Sequence, residues 1–349
     1  MHKENASVQY ADAPLLVVGP AWVGDMVMAQ SAFQHLKRTF ATADLHVLAP
    51  AWTHPLLARM PEVARAWALP LGHGDFAPYT RWRFGRQLRA YQFQQAWVLP
   101  RSWKAALVPW AAGIPRRTGF LGEQRYGLLN DIRVLDKSRL DQTVKRFVSL
   151  VHPTKAQDLQ ISQPQLTVHT DQQAQSLTRL QLNLERPCLA LLPGAEYGPA
   201  KQWPSAYFHQ VAQKAIAAGY QVWVLGSAKE APLGQAICAQ LPHAYNLCGK
   251  TQLTECIDLL ALCAQAISND SGLMHVAAAV GIFVHAIYGS SSPQYTPPLT
   301  DQAHIYWQGL SCSPCFKRQC PLGHTQCLHL ITPEQVWQQV QAVSSTLIT

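Results

Sequence analysis

The chain has 349 residues, 48% hydrophobic and 14% charged, which excludes a disordered protein and exceeds one ordinary domain. Its net charge of +8 favours acidic partners, yet the basic residues are scattered and form no nucleic-acid tract. No secretory signal opens the chain, and its longest apolar stretch, 277–288, falls short of the ~20 residues a spanning helix needs.

A cytoplasmic protein that is soluble or peripheral to a membrane is therefore expected, its nine cysteines free or metal-bound instead of disulfide-paired. Residues 1–13 are polar. Leu15-Leu16-Val17-Val18-Gly19 reads as a buried parallel strand, residues 20–25 as the turn after it, and Met28, Ala32, Phe33, Leu36 and Phe40 as the apolar face of a helix. Gly19 and Gly24 lack the Lys-Ser/Thr of a P-loop. Asp25 falls in the helix's first turn, where an acid is either a partner of the helix dipole or a general base for a hydroxyl nucleophile.

Residues 45–49 and 96–100 read as further strands. Between them Gly72-His73-Gly74-Asp75-Phe76-Ala77 fits the loose dinucleotide pattern, but no strand is evident before it and no amphipathic helix after it, so it is rejected. Arg81 to Arg89 is a basic helical stretch. Residues 101–131 read as turns carrying Arg101, Lys104, Arg116, Arg117 and Arg125, either a phosphate-binding loop set or a solvated basic face.

Residues 152–186, rich in Gln and Thr, read as the linker. Strands at 188–192 and 221–225 restart the α/β rhythm. The Gly/Pro loop 193–204 places Lys201 beside a helix start. Residues 264–268, 269–272, 273–280 and 282–288 are then strand, turn, helix and strand, one parallel βαβ unit. Its helix can be capped by Asp270 or Ser271, leaving N–H groups for an anion at Ser271, Gly272 and Leu273. His275 lies one turn in, and Asp270 is open to a sugar hydroxyl. The alternative is a well-capped core helix with a satisfied histidine.

Three segments carry a resemblance: Gly-Pro-Ala-Trp-Val-Gly-Asp-Met-Val-Met (19–28), Pro-Gly-Ala-Glu-Tyr-Gly-Pro-Ala-Lys-Gln-Trp-Pro (193–204) and Ser-Asn-Asp-Ser-Gly-Leu-Met-His-Val-Ala-Ala-Ala (268–279). Together, and in this order, they resemble the bacterial lipopolysaccharide heptosyltransferases of glycosyltransferase family 9. The resemblance implies a GT-B fold, two Rossmann-like doubly wound α/β domains facing a central cleft. Residues 1–165 would bind the acceptor, 166–332 would bind ADP-heptose, and a helix at 333–349 would pack back on the first domain. It implies inverting transfer from ADP-L-glycero-D-manno-heptose to the first heptose of a lipid A-core acceptor, with Asp25 as base and no required cofactor. Another acceptor hydroxyl within the family, or a non-catalytic nucleotide-sugar binder, are the alternatives.

By the same resemblance Lys201, Asp270, Ser271, Gly272, Leu273, His275, Glu196 and Ser227 form the donor set, with the ribose contact open among Ser227, Lys229 and Glu230. Trp22, Arg101, Lys104 and Arg125 are assigned to the acceptor. The enzyme would work at the inner membrane of a Gram-negative bacterium and bind no nucleic acid. Apart from the resemblance, Cys312, Cys315, Cys320 and Cys327, with His324, are ligand types dense enough for a structural zinc, or else reduced thiols in a Pro-rich loop.

Overall fold

The protein's structure, a computed structural model, describes residues 13–71, 75–152 and 159–347. The chain divides into two compact units, Met1–Pro164 and Gln165–Thr349. Unit 1 runs β1 (Leu15–Val18), α1 (Val23–Thr39), β2 (Leu45–Ala49), α2 (His54–Leu57), β3 (Arg65–Ala68), α3 (Pro78–Leu88), β4 (Gln95–Val98), α4 (Trp103–Ala111), β5 (Arg116–Phe120), β6 (Asp131–Arg133) and α5 (Thr143–Val151). Unit 2 runs α6 (Thr170–Leu180), β7 (Cys188–Leu192), α7 (Ser205–Ala217), β8 (Gln221–Val224), α8 (Ala231–Cys238), β9 (Ala244–Asn246), α9 (Leu253–Leu260), β10 (Gln265–Asn269), α10 (Gly272–Ala279), β11 (Phe283–Ile287), β12 (Ala303–Tyr306), α11 (Gln326–His329) and α12 (Pro333–Leu347).

All strands pair in parallel, in the orders β3-β2-β1-β4-β5-β6 and β12-β11-β10-β7-β8-β9. Numbered within each unit, both orders are 3-2-1-4-5-6, so the second half repeats the first. Helices cover both faces of such a sheet, so its inner strands are buried and mostly apolar: β1, β2 and β7 are buried at every position, with His46 of β2 the one polar residue among them. In each sheet the winding reverses between the first and fourth strands, and ligands of open α/β sheets bind beyond the carboxyl ends there. Those strands are β1 and β4 in unit 1, β7 and β10 in unit 2.

Several expectations are corrected. Residues 101–131 hold α4 and β5, hidden because Pro109 lies inside the helix and Gly119 inside the strand. The 152–186 stretch contains α6, a polar helix held to α9 because the Asp258 carboxylate accepts from the His169 N–H at 2.9 Å. A strand, β3, and a helix, α3, do flank the dinucleotide-like pattern, whose Gly72-His73-Gly74 lies outside the described residues.

The C-terminal helix is the largest correction. Val336, Trp337 and Val340 of α12 are buried in the core of unit 2 with Phe208 and Val211 of α7, and Lys214 pairs with Glu334 at 2.8 Å. Its apolar stripe is thus satisfied inside unit 2.

Candidate functional site

In unit 2 the site grows from the ends of β7 and β10. Asn269, the last residue of β10, stitches the two: its Oδ1 accepts from the Trp203 N–H at 3.0 Å, and its Nδ2 donates to the Pro193 carbonyl at 2.7 Å. The 193–204 loop is thereby tied at both ends. Its middle is tied as well, since Ala200 N–H donates to the Arg318 carbonyl at 3.0 Å and Ser290 N–H to the Ala200 carbonyl at 3.1 Å. Gly198, at φ +154°, makes that approach possible, because a Cβ there would lie 2.5 Å from the Arg318 oxygen.

The loop delivers Lys201. Its Nζ donates to Asp270 Oδ2 at 2.5 Å, and both side chains are largely buried, 18% and 5% exposed. The ammonium also lies 5.2 Å from the centre of the Tyr197 ring. The Asp270 carboxylate holds the lysine through Oδ2, which leaves Oδ1 as a further acceptor. An ammonium has three N–H donors, so this contact leaves others for a phosphate.

Neither Asp270 nor Ser271 makes a side-chain cap bond to α10, whose N-cap is Ser271 in extended conformation. The first N–H groups of α10, at Gly272 and Leu273, therefore point out of a helix start with no capping side chain taking them, an arrangement suited to an anion. His275 is buried beneath. Burial lowers its pKa to about 4, Asp270 opposing and Lys201 adding to the shift, so at neutral pH it is an uncharged hydrogen-bonding group.

Two residues escaped the sequence reading. Ser290 and Ser291 follow β11, and their hydroxyls are buried with no hydrogen-bond partner. Leaving a buried hydroxyl unpaired costs ~1–3 kcal/mol, which marks these two for a polar ligand. The signal was the Gly-Ser-Ser-Ser-Pro run at a strand's carboxyl end.

Beside β7 and β8 lies a cavity of about 570 Å³ lined by Glu196, Lys229 and Glu230 among others. Lys229 Nζ donates to Glu196 at 2.6 Å, which raises the lysine pKa. The Ser227 N–H and hydroxyl both donate to Glu230 Oε2, at 2.7 and 2.6 Å. Ser227 thus holds Glu230, and Glu196, Lys229 and Glu230 are the charged groups lining the cavity.

In unit 1 the expected residues likewise follow the two strands at the switch point. Asp25 lies half-buried in the first turn of α1, after β1, and Trp22 is the exposed N-cap. Arg101 and Lys104 follow β4. Arg101 is exposed and donates to the Leu121 carbonyl at 3.2 Å, and Lys104 to the Asp75 carbonyl at 3.3 Å. Arg125 is a correction: it is 1% exposed, and its guanidinium donates to the carbonyls of Pro100, Ser102 and Phe120 at 2.7, 3.2 and 2.5 Å. Burial, reinforced by Arg101, lowers its pKa to about 10. It organises the loops around β4 and β5 and is not presented to an acceptor.

Cys327 is buried, which pushes its thiol pKa up, and Cys312, Cys320 and Cys315 add to the shift. Among the described residues no three His, Cys, Asp or Glu are arranged to hold a metal ion.

Two Rossmann-like units, the second with a helix start at its switch point that no side chain caps, match the architecture of the GT-B class of glycosyltransferases. The family model "Glycosyltransferase family 9 (heptosyltransferase)" matches residues 81–326, and the chain belongs to that family. It is similar to lipopolysaccharide heptosyltransferase 2 of Escherichia coli strain K12, 43% identical over 94% of this chain and 98% of that one. It is also similar to lipooligosaccharide heptosyltransferase 2 of Haemophilus influenzae, 46% identical over 83% of this chain and 87% of that one. The solved structure of E. coli ADP-heptose LPS heptosyltransferase II superposes with a TM-score of 0.85 at 41% identity, over 96% of this chain and 100% of that one. An E. coli heptosyltransferase solved with ADP shares the fold, at TM-score 0.69 and 16% identity over 95% and 99%.

Proposed function

We infer that this protein is a heptosyltransferase 2, transferring heptose from ADP-heptose to the first heptose of the lipopolysaccharide inner core. The observation that carries this is the 43% identity to the E. coli enzyme across nearly both whole chains. The tied 193–204 loop, with Lys201 and Asp270 at the start of α10, supplies the chemistry such a donor needs.

In the proposed mechanism Asp25 takes the proton from the acceptor hydroxyl as it attacks the anomeric carbon, inverting that centre. The C–O bond to the diphosphate breaks, and the departing ADP carries away its electron pair. Lys201 and the α10 N–H groups meet the developing negative charge, and His275 contributes as a neutral hydrogen-bonding group. Asp270 positions Lys201. The Ser290 and Ser291 hydroxyls are suited to the sugar diphosphate, and Glu196, Lys229 and Glu230 to the nucleoside. Among the described residues no helix is long and apolar enough to cross a membrane. Because the acceptor is lipid-anchored, the enzyme works peripherally at the membrane surface.

Asp25→Asn tests the base. Transfer should fall by about 10²- to 10⁴-fold while ADP-heptose still binds with wild-type affinity. Transfer within a few-fold of wild type, or a parallel loss of donor affinity, would remove Asp25 from that role.

A further inference from the structure

The chemistry above makes no use of α3. Its inner face, Arg81, Gly85 and Leu88, is buried. Gly85 allows α4 so close that a Cβ there would sit 2.5 Å from the Val108 carbonyl oxygen and 2.7 Å from Ala111 Cβ. Arg81 anchors the preceding turn, donating to the Phe76 and Asp75 carbonyls at 2.8 Å each. The helix is thus fixed on its inner side and presents the other.

That other side is unusual for a solvated helix. Tyr79 is 69% exposed, Trp82 40%, and Phe76 just before the helix 55%. The Tyr79 and Trp82 rings stack with centroids 6.0 Å apart, and the Arg86 guanidinium lies 5.7 Å from the Trp82 ring centre. Arg83 and Arg89 are exposed as well. No Asp or Glu occurs between Asp75 and Glu123, so no acid in this stretch of chain offsets these cations. Aromatic rings with a polar edge settle at the headgroup level of a bilayer, and arginines beside them are drawn to lipid phosphates. A nucleic-acid strand would also meet cations and rings, but it leaves the lipid-anchored acceptor unexplained.

We propose that the outer face of α3, with Phe76 ahead of it, docks the protein on an anionic phospholipid surface. Phe76, Tyr79 and Trp82 seat among the headgroups, and Arg83 and Arg86 pair with their phosphates. The proposal deepens the reading of the protein as a peripheral enzyme and rests on it.

The test is co-sedimentation of the whole protein with vesicles of phosphatidylethanolamine and phosphatidylglycerol, against phosphatidylcholine vesicles. It compares wild type, Tyr79→Ser/Trp82→Ser and Arg83→Glu/Arg86→Glu. Wild type should partition at least about tenfold more strongly onto the anionic vesicles, and each double variant should lose at least about tenfold of that binding. Thermal unfolding should stay unchanged, and so should transfer to an acceptor stripped of its acyl chains. Transfer to the same acceptor embedded in anionic vesicles should fall with binding. Vesicle binding that is equal across variants, or blind to lipid charge, would overturn the proposal. So would an equal loss of transfer to the deacylated acceptor, which would assign α3 to the acceptor sugar instead. Should wild type transfer to neither acceptor yet bind anionic vesicles through α3, the docking surface would stand and the enzymatic reading would fall.

Discussion

Lys201 and Asp270 are more valuable to each other than to water, because both lie largely out of it. Lys201→Ala would leave the Asp270 carboxylate, 5% exposed, without its cation. Breaking a buried pair this way should cost about 3 kcal/mol of stability as well as donor affinity. Lys201→Ala/Asp270→Asn should recover much of the stability in urea unfolding but none of the affinity in an ADP-heptose titration. Recovery of both would make the pair purely structural. His275 gives a second prediction at this scale. Its folded pKa, about 4, lies below the ordinary 6.5. Between those values the unfolded chain binds a proton that the folded chain refuses, so stability falls as pH drops from 6.5 to about 4, by up to about 3 kcal/mol. His285, buried against Gln265 and Tyr306 with its pKa lowered to about 3, adds to the same slope. His275→Gln should therefore flatten the decline between pH 6.5 and 4 without abolishing it, and an unchanged slope would place His275 in water. Asp25, Lys201 and His275 were legible because each sits at a fixed offset from a strand-turn-helix junction. The burial of Arg125 was not, since an arginine between two turns looks the same in sequence whether carbonyls or solvent surround it.

At the scale of elements, the central strands were readable because both faces of a parallel sheet are covered, so β1 and β7 are unbroken apolar runs and β2 is broken only by His46. The outer strands were not: β3, reading Arg-Ala-Trp-Ala, is half open to solvent, and β6 is only Asp-Ile-Arg. Such short pieces are strands because a neighbour offers them a ladder, and periodicity carries no trace of that neighbour. The helix α12 was seen, but its packing was not, because an amphipathic stripe says that a helix is covered without saying by what. Trp337 is nearly buried in the core of unit 2 and stands edge-on to Tyr220, with ring centroids 6.4 Å apart. Trp337→Ala should cost about 3–5 kcal/mol, read as a lowered midpoint of thermal unfolding. A loss under 1 kcal/mol would mean that the helix does not complete this core.

For the molecule as a whole, the repeated 3-2-1-4-5-6 order places every retained site residue at the carboxyl end of a strand beside its unit's switch point, or one strand away. That doubling was legible as a rhythm of strands and glycine-containing turns across both halves. The +8 charge is consistent with a phosphorylated donor and an acceptor at an anionic surface, and the acid-free stretch between Asp75 and Glu123 concentrates part of it in unit 1. The most direct test of the account is an acceptor comparison. Purified protein is given ADP-heptose and lipid A-core bearing either one heptose or none, and the products are weighed by mass spectrometry. The account predicts one added heptose on the mono-heptosylated acceptor and none on the other. Transfer only to the heptose-free acceptor would keep the family and contradict the second-heptose assignment, and bound ADP-heptose with transfer to neither would contradict catalysis itself.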